Sequence, residues 1–155
     1  VRLLYPDNTI QHSGLISIRG AAGHGHRYYR GDAGGYFNQI QTVNNYLAVT
    51  AACLMCRRKH FEEVGGFEES LAVAFNDVDL CLKLFAKGYR NVYLPHVTLY
   101  HYESKSRADD SHPEQRRRLE QEFKYMRNQW KHLLDNDPYY NPNLNQERED
   151  FTLIS

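Results

Sequence analysis

Ala74-Phe75-Asn76-Asp77-Val78-Asp79-Leu80-Cys81-Leu82, taken with Leu94-Pro95-His96-Val97-Thr98-Leu99-Tyr100-His101, decides the fold of this chain. The first stretch places an acidic residue, Asp77, at the opening of a helix. Val78, Leu82 and Phe85 recur at i, i+4 and i+7, Asn76 stands where an N-cap is wanted, and Gly88 follows the last turn. The second stretch is strand-like after Pro95 and delivers His101 at its end. An acid that can take a proton and an imidazole that can hold a metal are two parts of a group-transfer site. Nothing ahead of them in the chain supplies the phosphate-binding part, so the chain reads as the back half of an enzyme.

Working outward, Val1 to Tyr5 is expected as a short strand, stopped by the turn formers Pro6-Asp7-Asn8. Ile10 to Ile18 is expected as an extended segment interrupted at Gly14. Gly20 to Gly35 is glycine-rich and aperiodic, which predicts a long loop of the kind that often carries function. Tyr46 to Met55 is apolar and partly β-branched, which predicts a buried strand. Arg57 to Val64 is expected to be helical and to end at Gly65-Gly66. Val92 to Leu94 and Val97 to Tyr100 are expected as strands. Pro113 to Leu134 carries the clearest helical stripe, Leu119, Phe123, Met126, Trp130 and Leu133, with Ser111 and Glu114 at capping-box spacing. The tail from Asp135 is rich in Asn, Pro and acidic residues and is expected to pack as an irregular strap.

The chain has 155 residues, enough for one domain with a core. Lys+Arg and Asp+Glu are both 19, and this balance argues against a nucleic-acid binder held by phosphate contacts. Twelve Tyr and seven Phe suit sugar faces, and equally suit cores and interfaces. No apolar run reaches the roughly 20 residues that span a bilayer, and no signal peptide is visible. Three Cys without secretory marks favour reduced thiols and a cytoplasmic setting.

Each chemical reading stands beside a plainer one. Carboxylates at Asp77 and Asp79 can satisfy free helix amides, or Asp77 can act as a rigidly aimed base. His101 can be an ordinary hydrogen-bonded strand end, or one imidazole in an otherwise oxygen-ligated divalent site. Lys105 and Arg107 can form a solvated basic turn or reach a diphosphate. His24 and His26 can ligate a metal or sit in a mobile lid. Cys53 and Cys56 form a C-x-x-C, but without a second pair, and the apolar surroundings predict buried thiols. Arg116, Arg117 and Arg118 can touch anionic lipid or simply be solvated.

Several stretches together resemble the bacterial family 2 glycosyltransferases with the A-type nucleotide-sugar fold. They are Pro6 to Gly14, Ala48 to Met55, Phe61 to Phe67, Phe75 to Leu80, Gly88-Tyr89-Arg90, His101 to Arg107, and Asp137 to Asn143. The likeness is greatest to enzymes that build rhamnan, O-antigen and similar surface polysaccharides. It implies an α/β fold: the C-terminal, acceptor-side half of a nucleotide-diphospho-sugar transferase, with a mixed sheet, flanking helices and a long C-terminal helix. Residues 1–134 would be that half and 135–155 a tail packed on it. The N-terminal half, with its nucleotide-binding strands and Asp-x-Asp motif, is not in this chain.

The resemblance also implies inverting transfer from a nucleotide-diphosphate sugar to an acceptor hydroxyl. The base falls on Asp77, a Mn2+ or Mg2+ ligand on His101, and diphosphate contacts on Lys105 and Arg107. Gly65, Gly66, Phe67, Asn76 and Asp79 would border the acceptor. Asn76 stands where the family often has Glu. The implied partners are a nucleotide-sugar donor and a glycan or lipid-linked glycan acceptor, with peripheral association at the inner face of the plasma membrane and a homodimer as further options, and with no nucleic acid. The fragment alone is expected to be inactive. Two other classes compete: a non-catalytic assembly or binding module, and a small metallohydrolase built on His24, His26 and His101.

Overall fold

The computed structural model describes residues 1–102 and 113–154. In chain order the strands are β1 (Arg2–Leu4), β2 (Ile10–His12), β3 (Leu15–Ile18), β4 (Ala21–His24), β5 (Asn44–Tyr46), β6 (Asn91–Tyr93) and β7 (Thr98–Tyr100). The helices are α1 (Arg58–Glu63), α2 (Asn76–Ala86) and α3 (Pro113–Leu134). The architecture is mixed α/β, as expected, with a long helix near the C-terminal end.

β1 is the centre of a mixed three-stranded sheet, antiparallel to β2 and parallel to β7. The turn between β1 and β2 is locked by Asp7, whose Oδ1 accepts from the Thr9 amide at 3.0 Å. At Gly14 the chain breaks between β2 and β3. The glycine has φ +117, and a Cβ there would lie 2.5 Å from the Tyr46 ring, so only glycine lets the ring pass.

Three expectations need correction. The Gly20–Gly35 stretch is not all loop: its first part is β4, which pairs with β3 from Leu15↔His24 to Ile18↔Ala21. Small residues there hid a strand whose partner is supplied by the neighbouring apolar run. Tyr46 to Met55 is not one buried strand. β5 ends at Tyr46, the chain turns through a short 3-10 helix at Ala51–Cys53, and Met55 is 96% exposed. Asn91 explains the early stop, because its Nδ2 donates to the Leu47 carbonyl at 2.9 Å and takes up the acceptor next in line. Finally, Asn76 is not the N-cap of α2. Phe75 holds that position in a left-handed conformation (φ 63), and Asn76 is the first helical residue.

α2 is buried round most of its circumference, with Val78, Asp79, Leu80, Cys81, Leu82 and Leu84 all inside. It forms the main core with Leu15, Leu47, Leu71 and, from α3, Met126, Trp130 and Leu134. The buried face of α3 is Glu122, Met126, Trp130 and Leu134. Leu119 and Phe123, expected in the stripe, are exposed, because the helix turns Glu122 rather than either of them onto the core. Ser111, the expected capping residue, lies outside the described residues.

The tail packs as a strap. Tyr140, Leu144 and Phe151 join Ile16, Ile18, Tyr46 and Tyr93 in a second core cluster. Asp137 anchors its start, accepting from the Ser17 amide at 3.1 Å and the Tyr139 amide at 2.8 Å. Burial raises the Asp137 carboxyl above its ordinary range, against the pull of those two amides. Among the described residues no helix is long and apolar enough to cross a membrane.

Candidate active site

Asp77 sits half-buried in the first turn of α2 with each carboxylate oxygen held by one amide. Oδ2 accepts from Ala51 N–H at 2.9 Å, and Oδ1 accepts from Val78 N–H at 2.9 Å. One partner belongs to its own helix, where a carboxylate meets the positive end of the dipole. The other lies 26 residues away on the 3-10 turn after β5. The carboxylate therefore satisfies one amide of its own helix, is orientated by two segments and keeps lone pairs for a third partner.

Behind that turn lies a residue that the sequence reading missed. His12 is 1% exposed, and its Nε2 accepts from Thr50 N–H at 3.5 Å, one residue before the amide that Asp77 takes. Its Nδ1 is 3.2 Å from Nδ1 of His24. If Nε2 accepts, the ring proton of neutral His12 is on Nδ1 and is donated to His24. Burial, followed by the neighbouring His24 and the chain's amino terminus, holds the His12 imidazole well below its ordinary pKa. The signal for His12 was weak, because a polar residue inside a short strand has no apolar periodicity to reveal it.

His101 follows β7 directly, its amide donating to the Leu4 carbonyl at 2.9 Å. The Gln11 side-chain amide lies 2.8 Å from its Nδ1, which fixes the ring and leaves Nε2 as the nitrogen a ligand would use. Gln11 and His12 are neighbours on β2, so one strand touches both His101 and the turn that holds Asp77. As a metal centre the arrangement is incomplete. Among the described residues no three His, Cys, Asp or Glu side chains are grouped to hold an ion. One imidazole with an amide behind it does not make a divalent site, so the group does not fit these residues alone.

The remaining candidates are placed as follows. Asp79 is fully buried: Oδ1 accepts from Trp130 Nε1–H at 2.7 Å, and Lys83 Nζ lies 2.7 Å from Oδ2. Lys83 also donates to the Gly66 carbonyl at 3.3 Å, which joins the glycine turn to α2. Gly65 and Gly66 both have positive φ, and Phe67 stacks edge-on to Phe61 at 5.4 Å while half of it stays exposed. Asn76 is half-buried and makes no capping bond. Lys105 and Arg107 lie outside the described residues.

The histidine trio His24, His26 and His101 is not brought together as a site. His26 is wholly buried, stacked on Phe151 at 3.9 Å, and its Nε2 accepts from Tyr36 N–H at 2.9 Å. Burial lowers its pKa to about 4. The stretch is a packed hairpin edge, not a mobile lid. The cysteine expectation also changes: Cys81 is buried, Cys53 half-buried and Cys56 exposed. The chain has left the sheet by then, and Leu54 is extended (ψ 141), so the pair does not sit in the tight turn that a C-x-x-C ligand pair needs.

Comparison with known sequences adds an independent line. The chain is 52% identical over 156 residues to an uncharacterized protein of Sinorhizobium fredii, covering 99% of this chain and 17% of that one. It is 38% identical over 145 residues to an O-antigen biosynthesis protein of Myxococcus xanthus, covering 92% of this chain and 11% of that one. Over 62 residues it is 36% identical to an N-acetylglucosaminyl-diphospho-decaprenol L-rhamnosyltransferase of Mycobacterium tuberculosis, covering 40% of this chain and 20% of that one. The likeness is to glycosyltransferases. The chain spans a fifth or less of the length of these relatives. No family model and no solved structure matches it.

Proposed function

We propose that this chain forms the acceptor-side half of an inverting, family 2-type glycosyltransferase of surface-polysaccharide synthesis, with Asp77 as its general base. The observation that carries the reading is the Asp77 carboxylate, aimed from a buried helix by amides of two separate segments and still half-accessible. The names of the relatives support a nucleotide-sugar donor and a glycan or lipid-linked acceptor. Such an acceptor would be met at the inner face of the plasma membrane.

In the reaction Asp77 takes the proton of the acceptor hydroxyl. The freed oxygen pair forms a bond to the anomeric carbon from the face opposite the diphosphate. The bond from that carbon to the diphosphate oxygen breaks, the nucleoside diphosphate leaves with the electron pair, and the centre inverts. The ion pair of half-buried Lys83 with buried Asp79 and the Gly66 carbonyl keep the glycine turn, the proposed acceptor border, in fixed relation to α2. A divalent ion, Mn2+ or Mg2+, would take a single ligand from His101, with the others drawn from polypeptide outside this chain.

Two surface features support a seam with such polypeptide. The outer edge of β7 has no strand partner among the described residues. Beside it lies an apolar groove of about 630 Å³ lined by Val49, Leu54, Leu84, Leu94 and Val97. The alternative reading, a non-catalytic assembly module, draws on the exposed Leu119 and Phe123 of α3.

The test is release of nucleoside diphosphate by the complete polypeptide from a panel of sugar donors with Mn2+ or Mg2+. Asp77→Asn and His101→Ala are assayed alongside. Turnover lost in Asp77→Asn bears the reading out. Turnover retained in that variant removes Asp77 as base. A folded wild type with no turnover on any donor, and a concentration-dependent mass, transfers the weight to the assembly module.

A further inference from the structure

Glu122 is a carboxylate in the wrong place for an ordinary core. It lies 2% exposed on the inward face of α3, in line with Met126, Trp130 and Leu134, where an aliphatic side chain is the usual solution. Burying a carboxylate is strongly unfavourable unless hydrogen bonds satisfy it. Here they do. Oε2 accepts from Ala74 N–H at 2.8 Å and Oε1 from Val73 N–H at 3.3 Å, with Arg118 Nε 3.7 Å from Oε1.

The two amides it takes belong to the residues just before Phe75. Phe75 is left-handed (φ 63, ψ 0), a strained conformation for a non-glycine residue that persists only when its surroundings impose it. That single dihedral pair turns the chain into α2, with the Phe75 carbonyl receiving the Asp79 amide at 2.8 Å. Two residues later comes Asp77. Trp130, two turns along α3 from Glu122, grips the same helical turn through Asp79. One face of α3 thus holds both sides of the turn that aims Asp77.

We infer that Glu122 is a positioning residue for Asp77: its carboxylate, across from α3, sets the left-handed turn at Phe75 that directs Asp77 toward Ala51. This rests on Asp77 being the base. Glu122→Gln keeps size and shape but offers one acceptor oxygen in place of two. Glu122→Ala removes both, and Met126→Ala weakens the same helix through packing alone.

In the complete polypeptide, Glu122→Gln is expected to lower kcat about tenfold or more with donor KM within about twofold, because misaimed groups lose rate before affinity. Glu122→Ala is expected to lose more, and Met126→Ala to lose melting temperature without that selective fall in kcat. Amide exchange supplies a readout free of activity: Val73, Ala74 and Ala51 are expected to exchange faster in Glu122→Gln than in Met126→Ala. Unchanged exchange at these amides overturns the inference, as does a kcat equal to wild type while Asp77→Asn is dead. If Asp77→Asn retains turnover, the functional reading fails instead, and the exchange data alone decide whether Glu122 sets the turn.

Discussion

Trp130 donates its indole N–H to the fully buried carboxylate of Asp79 across 2.7 Å, tying the C-terminal part of α3 to the first turn of α2. The bond makes one object of two features that are separate in the sequence, an acidic helix start and an apolar stripe. Asp79 thereby becomes an anchor for the helix that carries Asp77, and Lys83 extends the anchor to Gly66.

Trp130→Phe keeps the ring in the core and removes only the donor. A hydrogen bond to a charged group contributes roughly 1.5–3 kcal/mol, so denaturant unfolding is expected to show a loss of about 2 kcal/mol. A double-mutant cycle with Asp79→Asn isolates the pair. A loss of a few tenths at Trp130→Phe would mean that Lys83 alone satisfies Asp79.

Asp77→Asn retains an acceptor for one amide and cannot take a proton. Under the role proposed for Asp77, a general base supplies about 10²–10⁴ in rate, so kcat of the complete polypeptide is expected to fall by about that factor while donor KM holds. Steady-state kinetics with the donor found in the panel checks both quantities.

His26 makes the fold sensitive to acid. Its pKa is about 4 in the folded protein against 6.5 for the ordinary imidazole, because burial disfavours the charged form. The unfolded chain therefore takes up the proton first. Stability is full above about pH 6.5 and is lost as pH falls toward about 4, by roughly 3 kcal/mol from this group. The direction also follows from structure, since protonated Nε2 would face the Tyr36 N–H it now accepts from. His12 acts in the same sense. Urea midpoints between pH 7 and 4 are expected to fall steeply for wild type and less steeply for His26→Gln; parallel slopes would remove His26 from the account.

The three thiols are expected to react in order of access. Cys56 is exposed and should label within the dead time of a thiol assay, with Cys53 slower. Cys81 is buried, its pKa pushed up to about 12 by burial, and should label only on unfolding. Mass spectrometry of the labelled peptides assigns the order, and early labelling of Cys81 would contradict the burial of α2.

Local pattern made much of this molecule legible. The span of α2, the end of α3, the strand before Pro6, the stop at Gly65-Gly66 and the strand leading to His101 all follow from apolar period and turn residues. Where the reading failed, pairing and side-chain partners that no periodicity reveals had intervened, most of them remote in sequence. β4 is a strand because β3 pairs with its small residues. The Tyr46–Met55 run leaves the sheet where Asn91 occupies the Leu47 carbonyl. Phe75, not Asn76, begins α2, with Glu122 holding the two amides just ahead of it.

The candidate site divides along the same line. By itself the sequence singled out Asp77 and His101 as candidates and placed one at the opening of a helix and the other after a strand, because periodicity and turn residues are properties of neighbouring residues. Only the tertiary structure decided what those side chains face. The Ala51 amide on Asp77, the Gln11 amide on His101, and the buried His12 and Glu122 behind them are contacts across tens of residues. A polar side chain inside a short strand or on an apolar helix face carries no periodic signal. Its role exists only once packing has removed it from water and left it one partner to satisfy.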